Sequence, residues 1–141
     1  MKKPFADKRI IRLIDANRNR LTEGLRVCED IARFILDDKS ATRRLKSIRH
    51  RALSAVKRLG ADKRLLAKFR DSEADVGKTS IKSERRRNTL ADLFRANAKR
   101  SEESMRVLEE FAKLSSAASA DAFKQMRFEL YSLEKSIIEK L

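Results

Sequence analysis

ANRNRLTEGLRVCEDIA at residues 16–32 returns as ANAKRSEESMRVLEEFA at residues 96–112, and this recurrence decides the fold. Eight pairs are identical at an offset of 80: Ala16/Ala96, Asn17/Asn97, Arg20/Arg100, Glu23/Glu103, Arg26/Arg106, Val27/Val107, Glu29/Glu109 and Ala32/Ala112. Any hydrophobe of suitable size serves a core, so a repeat kept for packing alone would keep its apolar letters. This one keeps N-x-x-R-x-x-E-x-x-R-x-x-E, a polar ladder.

At 100° per residue, Ile10, Ile14, Leu21, Leu25, Cys28, Ile31, Ala32 and Ile35 share one arc, which predicts an amphipathic helix over about 8–37. Asp37 to Ser40 break it, with Ser40 as the expected N-cap of a second helix near 41–59 that stops at Gly60. Leu45, Ile48, Ala52, Leu53 and Val56 are its expected buried stripe. A short basic helix is expected at 62–69, followed by a turn-forming, acidic segment from Arg70 to Ser80. A third helix over about 83–114 repeats the first through Leu90, Leu93, Phe94, Met105, Leu108 and Phe111, and a fourth over about 121–140 repeats the second. Leu45-Lys46-Ser47-Ile48-Arg49 matches Phe123-Lys124-Gln125-Met126-Arg127 at an offset of 78, so the whole hairpin is duplicated. A lone hairpin cannot bury both of its faces. The prediction is a single all-α domain over 1–141, with repeat one at about 8–60, a linker at about 61–82 and repeat two at about 83–141. The two hairpins would pack as an antiparallel bundle with pseudo-twofold symmetry.

Composition supports this. Hydrophobic residues make up 41% and charged residues 40%, with three glycines and one proline, which favours helices over turn-rich sheets. The net charge of +14 concentrates anions, so nucleotides, phosphorylated metabolites, nucleic acids and anionic membranes are the partner classes it admits. No apolar run approaches the ~20 residues that span a bilayer, and no signal-peptide pattern follows Met1-Lys2-Lys3-Pro4, so a cytoplasmic protein is expected. Cys28, the only cysteine, excludes an internal disulfide and reads as a small buried hydrophobe.

Asn17 falls inside the apolar arc, where an amide needs partners; an unsatisfied one costs about 1–3 kcal/mol. Arg20 and Glu23 climb away from it by about 60° each, as do Arg100 and Glu103 from Asn97. If the repeats face each other, paired arginines, glutamates and asparagines line one crevice suited to a phosphorylated ligand. Guanidinium groups grip phosphate bidentately, and carboxylates hold Mg²⁺. Arg26 and Glu29, with Arg33, look like a solvated salt-bridge row. The plain alternative is that Arg20–Glu23 and Arg26–Glu29 are ordinary i,i+3 pairs, worth about 0.2–0.5 kcal/mol each. Gly77-Lys78-Thr79 is no P-loop, because Ser72 stands where that motif needs glycine and no strand precedes it. Arg70, Asp71 and Asp75 near it could still bind phosphate and magnesium. His50 has Phe128 as its counterpart in the second copy and is expected to be exposed or to cap a helix.

Residues 11–20 and 23–34, Leu45-Lys46-x-Ile48-Arg49-His50, Arg70-Asp71-x-x-x-Asp75-Val76-Gly77, residues 96–110, and Met126-Arg127-Phe128-x-x-Tyr131-x-Leu133-Glu134-Lys135 form an ordered set of motifs. Together they resemble a small all-helical family whose members occur alone or fused to thiamine-phosphate synthase. Departures are Lys78 directly after Gly77, and Ser72 where threonine is usual. The resemblance implies hydroxymethylpyrimidine-phosphate kinase activity in thiamine biosynthesis, with ATP and Mg²⁺ as cofactors and a phosphorylated pyrimidine as substrate. An acceptor phosphate is already ionised, so such a reaction needs arginines and a metal more than a general base. On that implication Arg20, Arg26, Arg100 and Arg106 include the phosphate clamps, Asn17, Asn97, Arg49 and Arg70 bind substrate, and Glu23, Glu103, Asp71 and Asp75 include the metal ligands. A homo-oligomer, or association with thiamine-phosphate synthase, would fit the same site.

Two rival readings stay open. One is a basic nucleic-acid or polyanion binder, against which the arginines alternate with glutamates and aromatics amount to only 6%. The other is a non-catalytic module that docks to a thiamine-pathway enzyme.

Overall fold

The computed structural model describes residues 5–60, 63–80 and 86–141, and all regular structure among them is helical. Helix α1 spans Lys8–Asp30 and runs into a single π-helical turn at Ile31–Ile35; α2 spans Lys39–Arg58, α3 Lys63–Lys68, α4 Leu90–Ala112 and α5 Ala117–Ile138.

Short polar side chains set the helix starts. Asp7 accepts from the Arg9 amide (2.9 Å), Asp38 from Ala41 (3.0 Å), Thr89 from Asp92 (3.0 Å) and Ser116 from Ser119 (3.2 Å). Each such cap contributes about 1 kcal/mol. Three predicted boundaries are thereby corrected. Asp38 rather than Ser40 caps α2, α5 begins at Ala117 rather than 121, and the third helix begins at Leu90 rather than 83. Residues 83–85 lie outside the described residues, and Arg86 to Asn88 precede the Thr89 cap without helical structure.

The four long helices form two antiparallel hairpins. α1 packs chiefly on α4, α2 packs on α5, each helix packs on its hairpin partner, and α3 rests on α1. Helices α1 and α4 run antiparallel: Cys28 lies against the Phe94 carbonyl, while Ser101 Oγ donates to the Leu21 carbonyl at 3.0 Å. Gly24 permits this approach. A β-carbon there would stand 2.4 Å from Ser101 Oγ and 2.6 Å from the Asn97 carbonyl oxygen. One core runs through the bundle, with Ile14, Leu21, Leu25, Leu45, Ile48, Phe94, Met105, Leu108, Phe123 and Leu130 fully buried. Each such side chain contributes about 1.5–3 kcal/mol through lost contact with water.

Cys28 is buried as expected, and burial, then the nearby Glu134 and Glu102 carboxylates, raises its thiol pKa well above the ordinary range. Six expected core residues fall short of full burial: Ile10, Leu53, Leu93 and Phe111 are half-buried, and two are exposed. Ile35 is 53% exposed because the π-helical turn rotates it off the α1 stripe, and Leu90, on the first turn of α4, is 46% exposed.

Candidate functional site

Asp15 sits one residue from the apolar stripe of α1 and is almost fully buried. A buried carboxylate needs a charge-assisted partner. Arg70, just past the end of α3, supplies it: Nε donates to one carboxylate oxygen and Nη2 to the other, both at 2.7 Å. The pair ties the segment after α3 to the face of α1. Arg12 adds a longer bond from Nη2 to the Asp71 carbonyl at 3.4 Å. Within the segment, Asp71 Oδ1 accepts from the Ala74 amide (3.1 Å) and Asp75 Oδ1 from the Gly77 amide (2.8 Å). Such bonds let aspartate shape a turn from within.

The tether leaves a crevice of about 580 Å³ whose lining includes Asn17, Arg20, Arg70, Asp71 and Asp75, with Val107 contributed by α4. Asn17 is buried, and its Nδ2 donates to the Leu13 carbonyl at 3.0 Å, so its own helix satisfies the amide. Its Oδ1 has no donor among the described residues. Arg20 is exposed and has no ion-pair partner among the described residues. The second carboxylate oxygens of Asp71 and Asp75 are likewise without partners there.

The rest of the ladder lies elsewhere. Arg100 leaves its own helix to meet Glu23 across the α1–α4 interface, Nη2 to Oε2 at 3.4 Å. Asn97 copies Asn17 by donating to the Leu93 carbonyl at 2.9 Å. Glu23 and Arg26 line a hollow with Arg49, and Glu103 and Arg106 line another with Arg127 and Tyr131. The expectation of one crevice holding both copies is therefore corrected. α1 and α4 do bring the two ladders into contact at Glu23–Arg100, but only the Asn17–Arg20 end opens into the crevice formed with residues 70–75. The four expected metal ligands divide in the same way, Asp71 and Asp75 in the crevice and Glu23 and Glu103 outside it. Among the described residues no three His, Cys, Asp or Glu side chains converge on one point.

The expected solvated row at Arg26–Glu29 is also corrected. Glu29 is buried with a side chain only 6% exposed, and it holds Arg49 of α2 at 3.0 Å, with Arg26 at 3.6 Å from above. Glu109 does the same in the second hairpin, holding Arg127 at 2.9 Å and Arg106 at 3.2 Å. Arg49, expected to bind substrate, is thus committed in part to an internal carboxylate, and Arg106 is further engaged by Glu110 at 2.8 Å.

Sequence reasoning missed Asp15 and Arg127 as organising residues. The signal for Arg127 was present, since it is the repeat counterpart of Arg49. Asp15 gave none, its partner being 55 residues away.

Fold and crevice together define a small helical bundle with a cationic cleft that carries two free carboxylate oxygens. The chain belongs to the ThiD2 family, whose model matches residues 12–136. It is similar to proteins named thiamine-phosphate synthase. That of Rhodopirellula baltica is 36% identical over 134 residues (94% of this chain, 35% of the relative), and that of a Synechocystis strain 36% over 130 residues (92% and 36%). A Synechococcus protein of the same name is 36% identical over 136 residues (96% and 37%). The chain thus spans about a third of the length of the curated relatives it matches. No solved structure matches it.

Proposed function

We propose that this chain is a small-molecule kinase of thiamine biosynthesis that converts hydroxymethylpyrimidine phosphate to its diphosphate with ATP and Mg²⁺. One observation carries the reading: the Asp15–Arg70 tether gathers Asn17, Arg20, Asp71 and Asp75 around one cleft. The membership in the ThiD2 family and the relatives' names are in keeping with it.

In the reaction an oxygen of the acceptor phosphate bonds to the terminal phosphorus of ATP, the bond from that phosphorus to the bridging oxygen breaks, and ADP leaves with the electron pair. The acceptor oxygen is already ionised near neutral pH, so no base is required. Charge neutralisation and alignment are what the protein must supply. In this reading Arg20 and Arg70 bind phosphate oxygens, and Asn17 Oδ1 offers an acceptor to a ring amino group. Asp71 and Asp75 fit a magnesium ion that takes the rest of its oxygen shell from phosphates and water, the usual manner of Mg²⁺ beside nucleotides. Bound there, the ion would offset charge on the transferring group.

A second reading has one observation in its favour. The relatives are about three times longer than the matching region, which suits a module that serves a larger thiamine-phosphate synthase. A coupled ADP-release assay on the purified chain separates the two. The kinase reading expects ADP release that depends on the phosphorylated pyrimidine. It also expects Asp71→Asn and Asp75→Asn, which keep the turn geometry but lose the charge, to raise the Mg²⁺ concentration for half-maximal rate. Pyrimidine-independent or absent ADP release in the wild type would end it.

A further inference from the structure

Between α1, α2 and α3 lies a hollow of about 500 Å³ whose chemistry the crevice does not share. Its charged lining is wholly cationic, Arg18, Lys57, Lys63 and Arg64, and Leu53 and Val56 give it apolar wall. None of the four cations has an ion-pair partner among the described residues; Arg18 makes only a 3.4 Å hydrogen bond to Asn19 Oδ1. They share this with Arg20 and differ from Arg26, Arg49, Arg70, Arg100, Arg106 and Arg127, each of which rests on a carboxylate. Unpaired like charges facing one concavity repel one another, and a polyanion removes that repulsion while gaining several charge-assisted bonds.

The second hollow, of about 450 Å³, adjoins the first by sharing Arg18 and Leu53. Apolar wall beside clustered cations suits a planar base carrying several phosphates.

We propose that the α1–α2–α3 hollow is the nucleotide subsite, with the base against Leu53 and Val56 and the phosphates among Arg18, Lys63 and Arg64. The assignment rests on the kinase reading for the fate of the nucleotide but not for its binding. It also ties the hollow to the crevice, because Arg18 bonds to Asn19, and Asn19 Nδ2 donates to Asp15 Oδ1 at 3.4 Å, the carboxylate that holds Arg70.

The test is calorimetric titration of the full chain with ADP in the presence of a chelator, beside a titration with the phosphorylated pyrimidine. Lys63 and Arg64 are exposed on a short helix, so the double variant Lys63→Gln/Arg64→Gln keeps the core intact. It should weaken ADP binding by about tenfold or more and leave pyrimidine binding unchanged. Arg18→Gln should weaken ADP binding to a similar degree, and adenosine should bind far more weakly than ADP to the wild type. Unchanged ADP affinity in both variants, equal weakening of both ligands, or no ADP binding by the wild type would overturn the assignment. A wild type that binds ADP with this dependence yet fails to phosphorylate the pyrimidine would sink the kinase reading and leave the subsite standing.

Discussion

The two hairpins share a framework and differ in what is built on it. Glu29 with Arg49 and Glu109 with Arg127 are the same device, a buried carboxylate on the first helix of a hairpin that holds an arginine of the second. Around it the halves diverge. Asp15 has Arg95 as its counterpart 80 residues on, and Arg95 makes only an exposed i,i+3 pair with Asp92. The first hairpin is followed by α3 and the tethered segment, which make the crevice and the hollow. The second instead buries Glu102 against Glu134, where the first hairpin has Thr22 and Val56. The buried ion pair recurs in both halves, whereas the crevice and the hollow are lined mainly by the first hairpin and the segment after it.

The largest expected effect tests the shared device. Glu29→Gln or Glu109→Gln leaves an almost buried guanidinium without its carboxylate, and each should lower unfolding free energy by about 3–5 kcal/mol in urea titrations. A large loss in one hairpin and none in the other would break the parallel.

Next comes the divergence at the site. Arg20→Ala should reduce phosphoryl transfer about 100-fold, the scale of a lost transition-state donor. Arg100→Ala removes an exposed pair with Glu23 and should change the rate only a few-fold. Equal losses in the ADP-release assay would restore a site shared by both copies.

Smaller again is the helix crossing. Gly24→Ala forces a methyl group against the Asn97 carbonyl and should cost about 1–3 kcal/mol. Ser104→Ala, at the repeat counterpart of Gly24, removes only a bond to the Arg100 carbonyl in its own helix and should be nearly silent.

The last comparison is a pH slope. Burial, then the hydrogen bond and charge of Glu134, push the Glu102 carboxyl from 4.5 up to about 8. The folded state keeps a proton that the unfolded chain gives up, so stability falls as pH rises from about 4.5 through 8. Glu102→Gln should flatten that slope and raise the melting temperature at the alkaline end. An unchanged pH profile would show that Glu102 does not set the slope.

The repeat made the hairpins legible because both copies carry the same apolar spacing, and Asn17 inside that spacing marked the face on which the crevice opens. Partners distant in sequence and changes of helical phase leave no such mark. Glu29 looked like a surface residue because Arg26 stands at i−3, which hid its bond to Arg49 across the hairpin. Asp15 gave no sign, since nothing within a helical turn reveals that Arg70 returns to it. Leu90 fits the 100° wheel of a core residue, whereas helix α4 begins only there and leaves its first turn uncovered. The cationic hollow leaves no local pattern, because its residues come from three helices.

The π-helical turn explains an irregularity in the duplication itself. The copies stand 80 residues apart along their first helices and 78 along their second, so the earlier hairpin carries two additional residues at its bend. The wider turn at Ile31–Ile35 and Asp37, whose φ of 49° is left-handed, occupy that bend, whereas the later one closes through Lys113 to Ser116. Glu29 and Arg49 consequently meet across 20 positions, and Glu109 and Arg127 across 18. An insertion that would otherwise have thrown the returning helix out of phase is absorbed as a local bulge, and the contact downstream keeps its angular setting.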